Sequence, residues 1–194
     1  MGEARIISRR QASTIRFVDI HQIEVRYLPE ADRMLMQVRT RAGELVSIWF
    51  TRRLMLRLWK PLQEVAARLA VARTAPDAVA VPEAREMLSQ AARQRVLEDS
   101  DFKTPFDRTP AGHPLGAEPL LASHVELAPM PQQGMTFKIQ EHRGRHLSMT
   151  LTASLTNAVT QLFERALAAS EWSVPAAAPV APPAQAEAHP TMLN

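Results

Sequence analysis

The chain contains no cysteine, so disulfides, thiolate zinc sites and cysteine nucleophiles are excluded, and nothing argues for an oxidising compartment. Glycine is scarce. The six present never fall in the clustered spacing that lets backbone amides cradle a phosphate, so a nucleotide-binding loop has no support. Aromatic residues make up only 5% of the chain, so an aromatic on a surface carries weight. No stretch approaches the roughly 18 apolar residues of a membrane span, and the opening MGEARIISRRQASTIRF lacks the apolar run of a secretion signal. Neither G-x-S-x-G nor H-E-x-x-H occurs, and the carboxylates are scattered without an evident partner pair. Nucleophilic, acid–base and metal chemistry therefore have no motif to rest on. His142 and His146 straddle a turn rather than share a helical face, so no metal and no cofactor are expected. These absences describe a cytoplasmic protein with no catalytic residues and no membrane partner.

What is present is a pattern that occurs twice. Met34, Met36 and Val38, then Val46, Ile48 and Phe50, alternate with polar residues, the period-2 signature of half-buried strands. Met135, Phe137 and Ile139, then Leu147, Met149 and Leu151, repeat it at an offset of 101 (135 − 34). Between the paired strands lie Arg41-Ala42-Gly43-Glu44 and His142-Arg143-Gly144-Arg145, each with glycine where a tight hairpin needs positive φ. The period then lengthens to that of a helix: Leu54, Leu58, Leu62, Val65 and Leu69 share one face, as do Leu155, Val159, Leu162, Phe163, Ala166 and Leu167. A further strand precedes each hairpin, with Glu24 to Pro29 placed over Val125 to Pro129 at an offset of 100 (125 − 25) and a second turn one residue longer. Each unit thus reads β-β-β-α.

The fold expected is α+β: two such units related by an approximate twofold, strands antiparallel, helices packed on the apolar face of the sheet. Whether the strands merge into one six-stranded sheet stays open. The domain boundaries expected are 1–73 for the first unit with an N-terminal segment, 74–119 for a bridging helix and long loop, 120–173 for the second unit, and 174–194 for a disordered tail. Pro82, with Glu83 and Glu86 behind it, has the makeup of a helix start, and Met87, Leu88 and Ala91 would form the bridging helix's buried stripe. Pro61 predicts a kinked helix or two segments. Thr51 and Ser154 are the candidate caps, and Phe102 and Phe106 are expected to pin the 98–119 loop. From Pro175 onward seven alanines and five prolines offer too little apolar surface to order the tail.

Charge is uneven. Residues 1–73 hold 14 Lys/Arg against 7 Asp/Glu, whereas residues 74–194 hold 9 against 13, which permits a nucleic-acid partner, an acidic protein, or head-to-tail homo-oligomers. Trp49 stands out because alternation puts it on the polar face with Ser47 and Thr51, alongside Gln37, Arg39 and Arg26 of neighbouring strands. An aromatic flanked by arginines has the composition of a binding hot spot; if the second face were also covered, Trp49 would be core. Arg52 and Arg53 follow in the first helical turn, where cations oppose the helix dipole.

The segments SIWFTRR, KTPFD and PLGAEPLL resemble a pattern associated with uncharacterised proteobacterial proteins over roughly residues 33–172, and that resemblance implies no activity. The function expected is a non-enzymatic protein-interaction module, a cytosolic adaptor or assembly subunit whose partner surface is Arg26, Gln37, Arg39, Trp49, Arg52 and Arg53. A nucleic-acid-binding protein using the basic half is the alternative, and a small-ligand binder or enzyme between the repeats is a third.

Overall fold

The computed structural model describes residues 14–17, 19–74, 91, 104–130 and 133–172. Its elements run β1 (Thr14–Phe17), β2 (Ile20–Leu28), a 3-10 turn (Pro29–Ala31), β3 (Arg33–Thr40), β4 (Leu45–Thr51), α1 (Arg52–Thr74), β5 (Leu120–Met130), β6 (Gly134–Glu141), β7 (His146–Thr152) and α2 (Ala153–Ala168). No helix among the described residues is long and apolar enough to cross a membrane.

All strands belong to one sheet in the order β1-β7-β6-β5-β4-β3-β2. The expectation of a wholly antiparallel arrangement is wrong: β4 runs parallel to β5, and β7 parallel to β1. The first exception follows from α1, whereas β1 precedes both helices and its pairing with β7 is not a crossover. A strand that hands over to a helix is returned to the sheet in its own direction, so the strand after the helix lies parallel to the one before it. The ends of the strand order are also consecutive in the chain, with only residues 18 and 19 between β1 and β2. The stretch 14–28 therefore pairs with β7 along its first part and with β3 along its second, and so links the two ends of the strand order.

Pairing is long within each set of three strands and short between the sets. The antiparallel ladders match seven or eight residue pairs each, the β4–β5 seam two and the β7–β1 seam four. A helix packs across each seam, α1 on β4 and β5, α2 on β7 and β2, and the helices touch each other. The twelve residues singled out by alternation in β3, β4, β6 and β7 are all buried. They join Met55, Leu58, Leu62, Val159 and Phe163 in a single core. At its centre Phe50 meets Phe163 edge-on, with ring centroids 5.2 Å apart.

Local chemistry is shared by the two units. In each hairpin the glycine N–H donates to the residue three before it, Gly43 to Thr40 and Gly144 to Glu141, and both glycines have positive φ, 80° and 92°; this is a type I turn closed by a left-handed residue. Thr51 and Thr152 cap their helices by accepting from the N–H of Leu54 and Leu155, at 3.3 and 3.2 Å. The cap of α2 is thus Thr152 and not Ser154, because the helix starts at Ala153. Each first strand carries the same irregularity, between Ile20 and Gln22 in β2 and between Ala122 and His124 in β5. That fixes the first-strand offset at 102 (122 − 20) and corrects the value of 100. The turn after β5 is accordingly one residue shorter than its counterpart, spanning 131–133 against 29–32.

α1 runs unbroken through Pro61. In α2 the buried Thr156 and Thr160 donate their hydroxyls to the carbonyls of Thr152 and Thr156, which satisfies two polar groups inside an apolar setting. Trp172 is buried beyond the end of α2. Its indole N–H donates to Asp32 at 2.6 Å, and its ring meets Tyr27 edge-on at 5.5 Å. That contact ties the end of the second unit to the first turn of the first. The hydrogen bonds from Trp172 and Tyr27 hold the Asp32 carboxyl below the ordinary range. The expected bridging helix lies outside the described residues except for Ala91, which is helical but exposed and so not part of a buried stripe. Phe102 and the tail 174–194 also lie outside them.

Candidate functional site

Ile48 and Phe50 are fully buried, so alternation turns Ser47, Trp49 and Thr51 to the outer face of the sheet. There Trp49 is half-buried and lies outside the core cluster. Register places Arg26 beside Leu35, Leu35 beside Trp49, and Trp49 beside Leu121 across the β4–β5 seam.

Three of the predicted residues are occupied inside the molecule. Arg26 forms an ion pair with Glu24 at 3.2 Å and donates to Gln37. Gln37 is buried and donates to Ser47 Oγ at 3.1 Å. Arg39 donates to the carbonyls of Asp107 and Thr109, at 3.1 and 2.6 Å, and pairs with the Asp107 carboxylate at 2.9 Å. Arg108 grips both oxygens of Glu24, at 2.8 and 3.0 Å, and Gln22 bonds the backbone of Pro105 and Asp107. The loop over 104–116 is thereby drawn across the outer face of β2 and β3, held by polar contacts, with Phe106 only half-buried. The Thr109 N–H holds the Asp107 carboxyl below its usual range, with Arg39 adding to the effect. Arg52 and Arg53 are exposed in the first turn of α1.

Where the loop ends, a groove of about 290 Å³ opens over the seam. The first unit contributes Arg33, Trp49 and Thr51; the second contributes Leu121, Ser123, His142 and Arg143 with the pair Glu141 and Arg145. Trp49 and Leu121, which is 38% exposed, supply its apolar surface. Arg33 and Arg143 have no hydrogen bond or ion pair among the described residues.

Arg145 builds the wall. Its Nε and Nη2 donate to the two oxygens of Glu141, at 2.6 and 2.8 Å, and its remaining hydrogens reach the carbonyls of Leu115, Glu118 and Pro119. Glu141 also accepts from the N–H of Leu121 at 3.1 Å, a residue just before the first pair of the β5–β6 ladder. Such a two-pronged pair fixes direction as well as distance. Hydrogen bonding from Arg145 outweighs burial and holds the Glu141 carboxyl below its usual range, while Glu141 raises Arg145 further.

Sequence reasoning found Trp49 and missed Arg33, Leu121, Arg143 and the Glu141–Arg145 pair. Outward parity was available for Arg33, and the hairpin position for Arg143. Their neighbourhood with Trp49 depends on the parallel seam, which alternation does not reveal. Comparison with protein-family models, curated proteins and solved structures gives no match for this chain. Fold and groove define a class by geometry alone, a mixed-sheet α+β protein with an aromatic and cationic groove at its β4–β5 seam.

Proposed function

We propose that this protein is a non-enzymatic interaction module, an adaptor or assembly subunit, that engages a protein partner over the β4–β5 seam. The observation carrying this reading is Trp49, an aromatic on the outer face of the sheet, in a groove whose cations Arg33 and Arg143 are uncommitted. Aromatic anchors in partly desolvated pockets contribute most to interface affinity. We also infer that the two β-β-β-α units descend from one ancestral unit; the matched hairpins, caps and strand irregularities support this. The interaction reading is tested by affinity capture from native extract with the wild type and with Trp49→Thr, each with and without nuclease. It requires a nuclease-resistant protein partner that the variant fails to retain.

A nucleic-acid partner is the second reading. Arg52, Arg53, Arg57, Lys60 and Arg68 are all exposed on α1, and none has an ion pair among the described residues. Binding by that face would weaken steeply as salt rises, since each phosphate contact releases counterions.

A further inference from the structure

We propose that the groove at the β4–β5 seam receives an acidic segment of a protein partner. One apolar side chain of the segment seats on Trp49 and Leu121, and its carboxylates pair with Arg33 and Arg143. This rests on the interaction-module reading above and names the chemistry of the partner.

Three observations carry it. The first is size. At about 290 Å³ the groove lies at the small end of ligand-binding cavities, roughly 300 Å³ and upward, so it takes one or two side chains of a segment. The second is charge. Arg145 pairs with Glu141 within the wall, and with Arg143 also acting on Glu141 the lining carries three arginines against two carboxylates, Glu118 and Glu141. Arg52 and Arg53 follow directly on Thr51 of the lining and are exposed. An anionic partner is therefore favoured, and the charge attracts it from a distance.

The third observation separates an acidic protein from a polyphosphate. Among the described residues the exposed large hydrophobic side chains are Leu56 and Leu121, and each sits with uncommitted cations: Leu121 with Arg33 and Arg143 in the groove, Leu56 with Arg52, Arg53, Arg57 and Lys60 on α1. A single-stranded nucleic acid uses cations and several stacking aromatics; the groove offers one large aromatic and has an aliphatic neighbour beside it. Leucine next to arginine suits a segment in which apolar and acidic residues are interspersed.

The test uses the full chain and fluorescence anisotropy of a labelled peptide of about twelve residues built from Glu-Glu-Leu repeats. A peptide with Gln in place of Glu and an oligo-dT of equal length serve as comparisons. The Glu peptide should bind at least about tenfold more tightly than the Gln peptide, and Trp49→Thr and the double variant Arg33→Gln with Arg143→Gln should each weaken it about tenfold. Arg41→Gln, in the first hairpin and outside the groove lining, should leave it unchanged. Threonine is chosen for position 49 because Thr150 holds the matching place in β7; should that variant fail to melt cooperatively, Trp49→Phe and the double arginine variant carry the test. The inference is overturned if the Glu peptide does not bind, if the Gln peptide binds equally, if only oligo-dT binds, or if the groove variants bind like the wild type. Trp49-dependent capture of a protein partner together with an inert Glu peptide would overturn the acidic chemistry and leave the interaction module standing. Loss of both would remove the two together.

Discussion

At the β4–β5 seam the outer face carries Trp49 beside Leu121, whereas in the second unit Thr150 holds the place of Trp49 and the β7–β1 pairing ends one residue before it, at Met149. Beside the start of β2, Arg41 of the first hairpin forms an exposed ion pair with Asp19 at 2.9 Å, and its N–H reaches the Asp19 carbonyl. At the first seam His142 stands in place of Arg41, and the nearby carboxylate, Glu141, turns inward to Arg145, so Trp49 and Leu121 are left without a cover. The backbone pairing, the hairpin glycines and the threonine caps are common to both halves. Side chains differ inside the core as well, where Met55 and Trp59 stand in α1 at the places of Thr156 and Thr160 in α2, and on the outer face, where Thr150 holds the place of Trp49. The fold therefore does not require an aromatic at position 49, and Trp49 is open to explanation by binding.

The comparison can be broken most severely at position 134. Gly134, with φ 143°, occupies the place of Arg33 in the other unit, and a Cβ there would lie 1.9 Å from the Leu151 carbonyl oxygen. Gly134→Ala should cost about 3 kcal/mol or more and prevent cooperative melting if the backbone cannot yield. Arg33→Gly should be mild by contrast; equal losses would show that the two turns are not built differently.

Next in size is the Glu141–Arg145 pair, which has Thr40 and Glu44 as its counterpart. Arg145→Ala leaves a buried carboxylate and three carbonyls without their donor, and denaturant unfolding should show a loss of about 2–3 kcal/mol, against about 0.5 kcal/mol or less for Glu44→Ala. The pair also sets a pH dependence. Because the folded Glu141 carboxyl titrates below its unfolded value, its contribution is fully present above the unfolded pKa and is lost as pH falls through the folded one. The wild type should lose stability on that acid limb, and Glu141→Gln should flatten it.

The caps test likeness instead of difference. Thr51→Ala and Thr152→Ala should each cost about 1 kcal/mol, and a gap much larger than that between them would show that the two helix starts are not equivalent. Smallest of all is Trp49→Thr, which imports the residue of the other unit. It should change stability by about 1 kcal/mol or less while abolishing partner capture; a collapse in Tm would mean that Trp49 supports the fold.

Much of this was written along the chain. Alternation in β3, β4, β6 and β7 and the helical stripes depend on neighbours within a few residues; the twelve strand side chains turned inward are all buried, while Leu54, Val65, Leu155 and Leu162 of the stripes are partly buried against the core. The hairpin glycines and the Thr51 cap were legible for the same reason, since φ and a side chain's reach to a nearby amide are local quantities. Misreadings arose where the determinant is a second strand or an exact register. The offset of the first strand was misjudged by two residues because an even slip preserves which face each side chain occupies.

The parallel seams, the pairing of residues 14–28 with both β7 and β3, and the loop drawn across β2 and β3 by Arg39 and Glu24 were decided by tertiary structure. So was the groove, whose two walls lie about seventy residues apart in sequence, as Trp49 does from Leu121 (121 − 49 = 72). The sequence by itself determined which side chains face inward, because burying apolar surface repeats with the period of the backbone. Which strands meet, and hence which outward residues become neighbours, was settled only when the core closed. No local period encodes the partner of a strand that is separated from it by a helix and a long loop.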